Sequence, residues 1–265
     1  MHTASVPRVL DRRSDDARRA AHRTPPSRTR PEGPKIHDLA TEIVLVSTSA
    51  LVAFVVSSWL LSLPFVPSAA ENTALGYLYS PAILLLAAAL YRWGGRRIDG
   101  GEDPAPVTAT RQNPGRALIT AGLFILAAVV GSTLLSQLMS LVGAPVREQV
   151  EVTKITASGL TLTPKLLLLS ITALLAAPVA EECLLRGLLF RRLLAKIGPR
   201  VAYVTTAIAF ALIHGNPSGA VIYLWLAVVF ARSYQKSGRL WVAILVHAGN
   251  NAVTLAYLLL AQPTP

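Results

Sequence analysis

Long apolar runs separated by short polar breaks dominate the chain after Lys35 and leave few folds open to it. A helix needs about 20 apolar residues to cross the hydrocarbon core of a bilayer. Lipid offers no partners for backbone N–H and C=O groups, so a crossing segment of this kind must be helical. We therefore predict an all-α fold, a polytopic membrane helical bundle of about seven transmembrane helices. The apolar runs lie at 43–66, 74–91, 117–142, 165–185, 201–214, 219–234 and 240–261.

The composition agrees with a membrane protein and excludes several other classes. Of the 265 residues, 52% are hydrophobic and 15% are charged, whereas about 25% are charged in an ordinary soluble domain. These proportions argue against a soluble globule, a disordered chain and a nucleic-acid-binding protein. The single cysteine, Cys183, excludes an internal disulfide framework and a cysteine-rich zinc module. The runs at 201–214 and 219–234 are short, and whether both cross fully is left open.

The basic residues indicate how the bundle is oriented. Four segments contain nine, five, five and three lysines and arginines, which is 22 of the 25 in the chain. The segments on the other side of the predicted map contain only Arg147, Lys154 and Lys165. Because cytoplasmic loops are enriched in lysine and arginine, this asymmetry predicts a cytoplasmic N-terminus and seven crossings. The four basic segments are 1–36, 92–116, 186–200 and 232–239.

Three regions follow from this map. Residues 1–36 are basic and poor in large apolar side chains, which predicts a disordered cytoplasmic tail. Residues 37–116 contain the first two membrane helices and a cytoplasmic loop, and residues 117–265 contain the remaining bundle. The frequent use of alanine and arginine suggests a bacterium with GC-rich DNA, so the expected location is the bacterial plasma membrane.

Four ionisable residues lie within or at the edge of the apolar runs. Beyond Glu151 the only acids are Glu181 and Glu182, and the only histidines are His214 and His247. An ionisable side chain at such a position costs about 2.5–3.5 kcal/mol on insertion scales, so it is a functional-site candidate by default. The four residues are therefore the first candidates for a buried site.

Helical spacing indicates which of these candidates lie on the same face of a helix. Glu182 and Arg186 are four residues apart and can form an ion pair on one helix face. Glu181 points about 100° away from Glu182, which leaves it able to face a cavity. The pairs Phe210/His214 and His247/Asn251 show the same spacing of four. Counting residues inward from the basic segments predicts one buried pocket that opens towards the cytoplasm.

Three motifs in these helices resemble those of one known family. Glu181-Glu182-Cys183-Leu184-Leu185-Arg186 is similar to its EExxxR motif, Phe210-Ala211-Leu212-Ile213-His214 to its FxxxH motif, and His247-Ala248-Gly249-Asn250-Asn251 to its HxxxN motif. The family is the CPBP (ABI) intramembrane proteases, which include the type II CAAX prenyl endopeptidases. The resemblance covers residues 120–260 and identifies 117–265 as a CPBP-type catalytic bundle. It implies an endopeptidase that cuts a membrane-embedded or lipidated protein.

The resemblance and the residue chemistry together suggest a mechanism. A carboxylate in apolar surroundings suits a general acid or base near neutrality. On this hypothesis Glu181 acts with His214 to activate water, and His247 and Asn251 stabilise the oxyanion. Glu182 and Arg186 orient the helix, and Phe210 lines the pocket. Zinc held by Glu181, His214 and His247 is compatible with these residues, and so is a metal-free glutamate mechanism.

Other readings stay open at this point. The same ionisable residues could form the relay of a proton-coupled transporter, although a relay would string them across the membrane. A non-catalytic immunity or assembly protein on the same fold is the other alternative, and polar residues of this kind can also join helices as purely structural contacts. A nucleophilic Cys183 is disfavoured by its apolar surroundings. The basic stretch at 191–196 is interpreted as interfacial, with its cations reaching towards water.

Overall fold

A computed structural model describes residues 36–63, 74–102, 104–147 and 163–260. All of these lie in one compact unit, Pro34–Pro265. The tail predicted at 1–36 falls outside the described residues, apart from Ile36, where the first helix begins.

The described residues contain seven helices and no strand, which confirms the predicted all-α fold. A 3₁₀ turn at Ala74–Leu78 precedes α2, and another at Pro217–Gly219 precedes α6. Two stretches of α4, Thr172–Ala176 and Cys183–Phe190, are π-helical. The helices are α1 (Ile36–Leu61), α2 (Tyr79–Ile98), α3 (Pro114–Leu141), α4 (Pro164–Lys196), α5 (Pro199–Ile213), α6 (Ala220–Ser237) and α7 (Leu240–Leu260).

Local sequence signals explain where several helices begin and end. The Asn113 side chain accepts a hydrogen bond from the Arg116 backbone N–H at 2.9 Å, and proline follows directly as the first residue of α3. Thr163 caps α4 in the same way. These are N-caps followed by proline at N1. Between α6 and α7, Gly238 has φ of 68°, a left-handed conformation that glycine adopts without strain.

Four of the helices are long and apolar enough to cross a membrane by length and composition: α1 over His37–Leu61, α3, α4 and α7. Several such helices indicate a multi-pass membrane protein. The run at 74–91 was expected to reach this length, but α2 is not among the four. Its first residues form the 3₁₀ turn, and its last third includes Arg92, Arg96 and Arg97. The count of seven crossings stays a prediction.

A buried ion cluster joins the first two helices to α4. Arg192, which is 3% exposed, contacts Glu42 of α1 at 2.8 Å and Asp99 after α2 at 2.6 Å. Lys196 contacts the same two carboxylates at 2.8 Å each, and the Tyr91 hydroxyl donates to Glu42. The interfacial interpretation of residues 191–196 is therefore wrong for Arg192 and Lys196, since both are committed to ion pairs between helices.

Close contacts between helices hold the later part of the bundle. At Gly249 of α7, an added Cβ would lie 2.6 Å from Ile125 Cδ1 of α3, so a larger residue would force the Ile125 side chain to shift. Small residues allow membrane helices to approach closely. This contact fixes the part of α7 that contains His247 and Asn251.

The helices alternate in direction, which gives the bundle two distinct ends. At one end, the start of α3 meets the junction of α6 and α7: the Gln112 backbone N–H donates to the Ser237 carbonyl at 3.0 Å, and Arg239 Nε donates to the Gln112 carbonyl at 2.7 Å. We call this the basic end. At the other end, the Arg147 N–H donates to Ser218 Oγ at 3.1 Å, and Asn216 Nδ2 donates to the Arg147 carbonyl at 2.8 Å.

Candidate active site

The site is built around a charged pair in the interior of α4. Arg186 Nη1 donates to Glu182 Oε1 at 2.9 Å, and both side chains are fully buried. Arg186 Nη2 donates to the Ala227 carbonyl of α6 at 3.0 Å. The guanidinium lies over the rings of Phe210 and Phe230, at 4.8 and 5.4 Å. The structure therefore contains the ion pair that the spacing of four predicts, and this pair also connects α4 with α6.

The same carboxylate has a partner that sequence reasoning missed. His247 Nδ1 lies 3.1 Å from Glu182 Oε1, and the ring stacks on Phe230 at 4.6 Å. Because Glu182 is paired with a guanidinium, its carboxylate is the acceptor and Nδ1 carries the proton. Such a bond fixes the tautomer and orientation of a histidine. The two residues are 65 positions apart, so no local spacing could have shown the contact.

Glu181 differs sharply from its neighbour. It is 9% exposed, and among the described residues its Oε2 atom is buried without a hydrogen-bond partner. Its carboxylate interacts electrostatically with both the His214 ring and the Arg186 guanidinium. Buried polar atoms without partners are rare, and such an atom indicates a water molecule or a functional role.

His214 is held by its own helix and by aromatic rings. Its Nδ1 lies 2.7 Å from the Phe210 carbonyl, which can only accept, so Nδ1 donates. The ring stacks on Tyr223 at 4.2 Å and lies 4.5 Å from the Phe210 ring. In the neutral imidazole Nε2 is then the basic nitrogen.

Asn251 connects α7 to the first π-helical stretch of α4. Its Nδ2 donates to the Ala173 carbonyl at 2.9 Å. The second π-helical stretch begins at Cys183, immediately after the two glutamates. Such insertions are rare and frequently lie at functional sites. The sequence contained no signal for either stretch.

A cavity of about 660 Å³ brings several of these side chains together. Phe210, His214, His247 and Asn251 all line it, whereas Glu181 is not among its lining residues and lies buried behind them. Asn250, which sequence reasoning did not single out, also lines the cavity. It is 4% exposed, and its Oδ1 has no partner among the described residues.

The prediction that the pocket opens at the basic end is wrong. The cavity is lined by residues near the end of α3 and the start of α6, and its wall includes Arg147 and Asn216 at the opposite end. The reason is the position of His214. It follows the last residue of α5, a helix that begins at the basic end, so it lies at the far end of the bundle.

A three-ligand metal site does not form in this arrangement. Among the described residues, no three histidine, cysteine, aspartate or glutamate side chains are grouped so that they could hold a metal ion. As placed, Glu181, His214 and His247 are therefore not grouped as three ligands of one ion.

Comparison with known proteins agrees with the motifs. Residues 163–253 match the family model described as Type II CAAX prenyl endopeptidase Rce1-like, a segment that includes all three motifs. No curated protein matches the chain, and no solved structure does. The match confirms the resemblance read from the sequence, and with it, at the level of the family, protease activity on membrane-associated proteins. Over residues 163–253, a third of the chain, this multi-pass membrane protein is similar to the type II CAAX prenyl endopeptidases.

Proposed function

We propose that the protein is an intramembrane endopeptidase in which Glu181 and His214 activate a water molecule. The observation that supports this most is the buried Glu181 carboxylate, which has no hydrogen bond among the described residues and interacts electrostatically with His214 in the cavity wall. A lone carboxylate oxygen in such a place is suited to hold the attacking water. The Oε2 atoms of both glutamates lack a partner, but Glu182 Oε1 is bonded to Arg186 and His247, whereas no hydrogen bond to the Glu181 carboxylate is found among the described residues.

The proposed reaction follows from these positions. Glu181 takes a proton from water while the water oxygen bonds to the carbonyl carbon of the peptide. The peptide C–N bond then breaks, and Glu181 returns the proton to the departing amine. His214 orients the water, and the contact of its Nδ1 with the Phe210 carbonyl fixes the ring. General acid–base catalysis of this kind contributes about 10²–10⁴-fold.

Two residues of α7 are proposed to stabilise the oxyanion. The amide of Asn251 has two N–H groups, and Ala173 uses one of them at 2.9 Å. The other is available for the negative oxygen of the tetrahedral intermediate. His247 rests on Glu182 through Nδ1, and this contact holds its ring in the wall of the cavity beside Asn251. Hydrogen-bond donors stabilise an oxyanion most effectively when they are already in position before the reaction begins.

We further propose that the reaction needs no metal and takes place in a bacterial plasma membrane. A segment of a membrane-anchored protein is the proposed substrate, since the site lies within a bundle that spans lipid. The placement of the three candidate ligands, which do not form a metal cluster, supports the metal-free route.

The test compares membranes from cells that express wild-type protein, E181Q or E102Q, with the peptide termini in each membrane proteome identified by mass spectrometry. Glu102 is an exposed acid after α2 and provides a matched control. We expect termini that form with wild type and E102Q and fall by about 10²-fold or more with E181Q. Their formation in isolated membranes should also survive EDTA. Equal cleavage by E181Q contradicts the base assignment, and loss with EDTA contradicts the metal-free route.

A further inference from the structure

The two ends of the bundle differ in charge. Twelve of the lysines and arginines in the described ranges lie at the basic end, and two, Arg147 and Lys165, lie at the opposite end. Arg186 is in the interior. The twelve are Arg92, Arg96, Arg97, Arg111, Arg116, Arg191, Arg192, Lys196, Arg200, Arg232, Lys236 and Arg239.

The difference in charge between the two ends is present in the folded bundle, and not only in the order of segments along the sequence. Contacts between chain segments assemble each end: Arg239 binds the Gln112 carbonyl at the basic end, and the Arg147 backbone contacts Ser218 at the other. Lysine and arginine near helix ends are retained on the cytoplasmic side of a membrane. The basic end therefore faces the cytoplasm.

The cavity lies at the end with few basic residues. Its wall includes Ser136 in the last third of α3, Asn216 between α5 and α6, and Tyr257 near the end of α7. It also includes Val146 and Arg147, which follow α3. At the basic end, the buried cluster of Glu42, Asp99, Arg192 and Lys196 fills the space between α1, α2 and α4.

We infer that the active-site cavity opens to the extracytoplasmic face and receives its substrate from that side. The substrate class is then the exposed part of an exported, membrane-anchored protein, next to its membrane segment. Lipidated proteins whose cleavable tails lie in the cytoplasm are excluded. The inference uses the proposed protease function to call the ligand a substrate, whereas the side on which the cavity opens does not depend on that function.

The test labels single cysteines in intact cells with a membrane-impermeant maleimide. In a C183S background, Ala144→Cys places a thiol on exposed chain after α3, and Ala195→Cys places one on an exposed position near the end of α4. Both replace alanine, so neither alters the charge difference. Ser136→Cys places a thiol in the cavity wall.

We expect A144C and S136C to be labelled in intact cells, and A195C only after lysis. Labelling of A195C in intact cells overturns the orientation. Protection of S136C while A144C is labelled overturns the opening of the cavity on that side. The same cysteine variants that also contain E181Q separate the two proposals. If E181Q leaves both the labelling pattern and the cleavage unchanged, the protease mechanism is contradicted and the orientation of the cavity is not.

Discussion

At the scale of single residues, two adjacent glutamates have opposite environments. Glu182 Oε1 is shared by Arg186 and His247, at 2.9 and 3.1 Å, whereas no hydrogen bond to the Glu181 carboxylate is found among the described residues. The Oε2 atoms of both glutamates lack a partner there. Spacing predicted the Glu182–Arg186 pair, because one turn of helix placed Arg186 under Glu182. It also led us to expect Glu181 in a cavity wall, whereas Glu181 is not among the residues that line the cavity. Spacing could not show His247, which α7 brings in from 65 residues away. The spacing of residues along one helix predicts which side chains share a face of that helix. It does not predict contacts between helices, because those depend on how the helices pack.

This difference predicts opposite effects on stability. E182Q removes the negative charge from a fully buried guanidinium, and breaking a buried ion pair in this way costs about 3–5 kcal/mol. E181Q removes a charge whose Oε2 lacks a partner, so we expect little change in the free energy of unfolding. Thermal unfolding of the purified proteins in detergent measures both. If E181Q is destabilised as strongly as E182Q, the two carboxylates do not have the separate roles assigned to them.

At the scale of helices, the apolar runs predicted where the helices lie. They did not predict how the helices contact one another or where the helical geometry changes. Runs and helices correspond, since the 3.6-residue geometry and the membrane both favour continuous helix. The ion cluster of Glu42, Asp99, Arg192 and Lys196 was not predictable, because its members come from three helices. The π-helical stretches of α4 were equally hidden, as they depend on packing around Asn251 and the glutamates.

One helix crossing offers a direct test of how α7 is positioned. A Cβ at Gly249 would lie 2.6 Å from Ile125 Cδ1, whereas a Cβ at Gly122 of α3 would have nothing within 4 Å. G249V should therefore cost about 1–3 kcal/mol from overpacking and reduce cleavage, because it displaces His247 and Asn251. G122V is the matched control, with stability and cleavage unchanged. Thermal unfolding measures the change in stability, and the membrane-proteome assay measures the change in cleavage. If the two variants behave alike, Gly249 does not have the role in positioning α7 that we assign to it.

At the scale of the whole molecule, charge predicted orientation while the fold determined where the cavity lies. Counting depth along α4 and α7 placed their polar residues near the basic end. The position of His214 at the end of α5 moves the shared cavity to the other end. A depth estimate made helix by helix could not show this, because the cavity forms where residues of α3, α4, α5, α6 and α7 come together.

The bundle as a whole also predicts an odd number of crossings. Only four helices satisfy the length and apolarity expected of a span, and α5 has 15 residues, about 22 Å at 1.5 Å per residue. Yet the contacts of Arg147 with Asn216 and Ser218 place the α5–α6 junction at the same end as the end of α3. The contact of Gln112 with Ser237 returns α6 to the basic end, so α5 and α6 each traverse the bundle. With seven crossings, protease added to intact spheroplasts should remove a C-terminal tag and spare an N-terminal one. Removal or protection of both tags would show an even number of crossings.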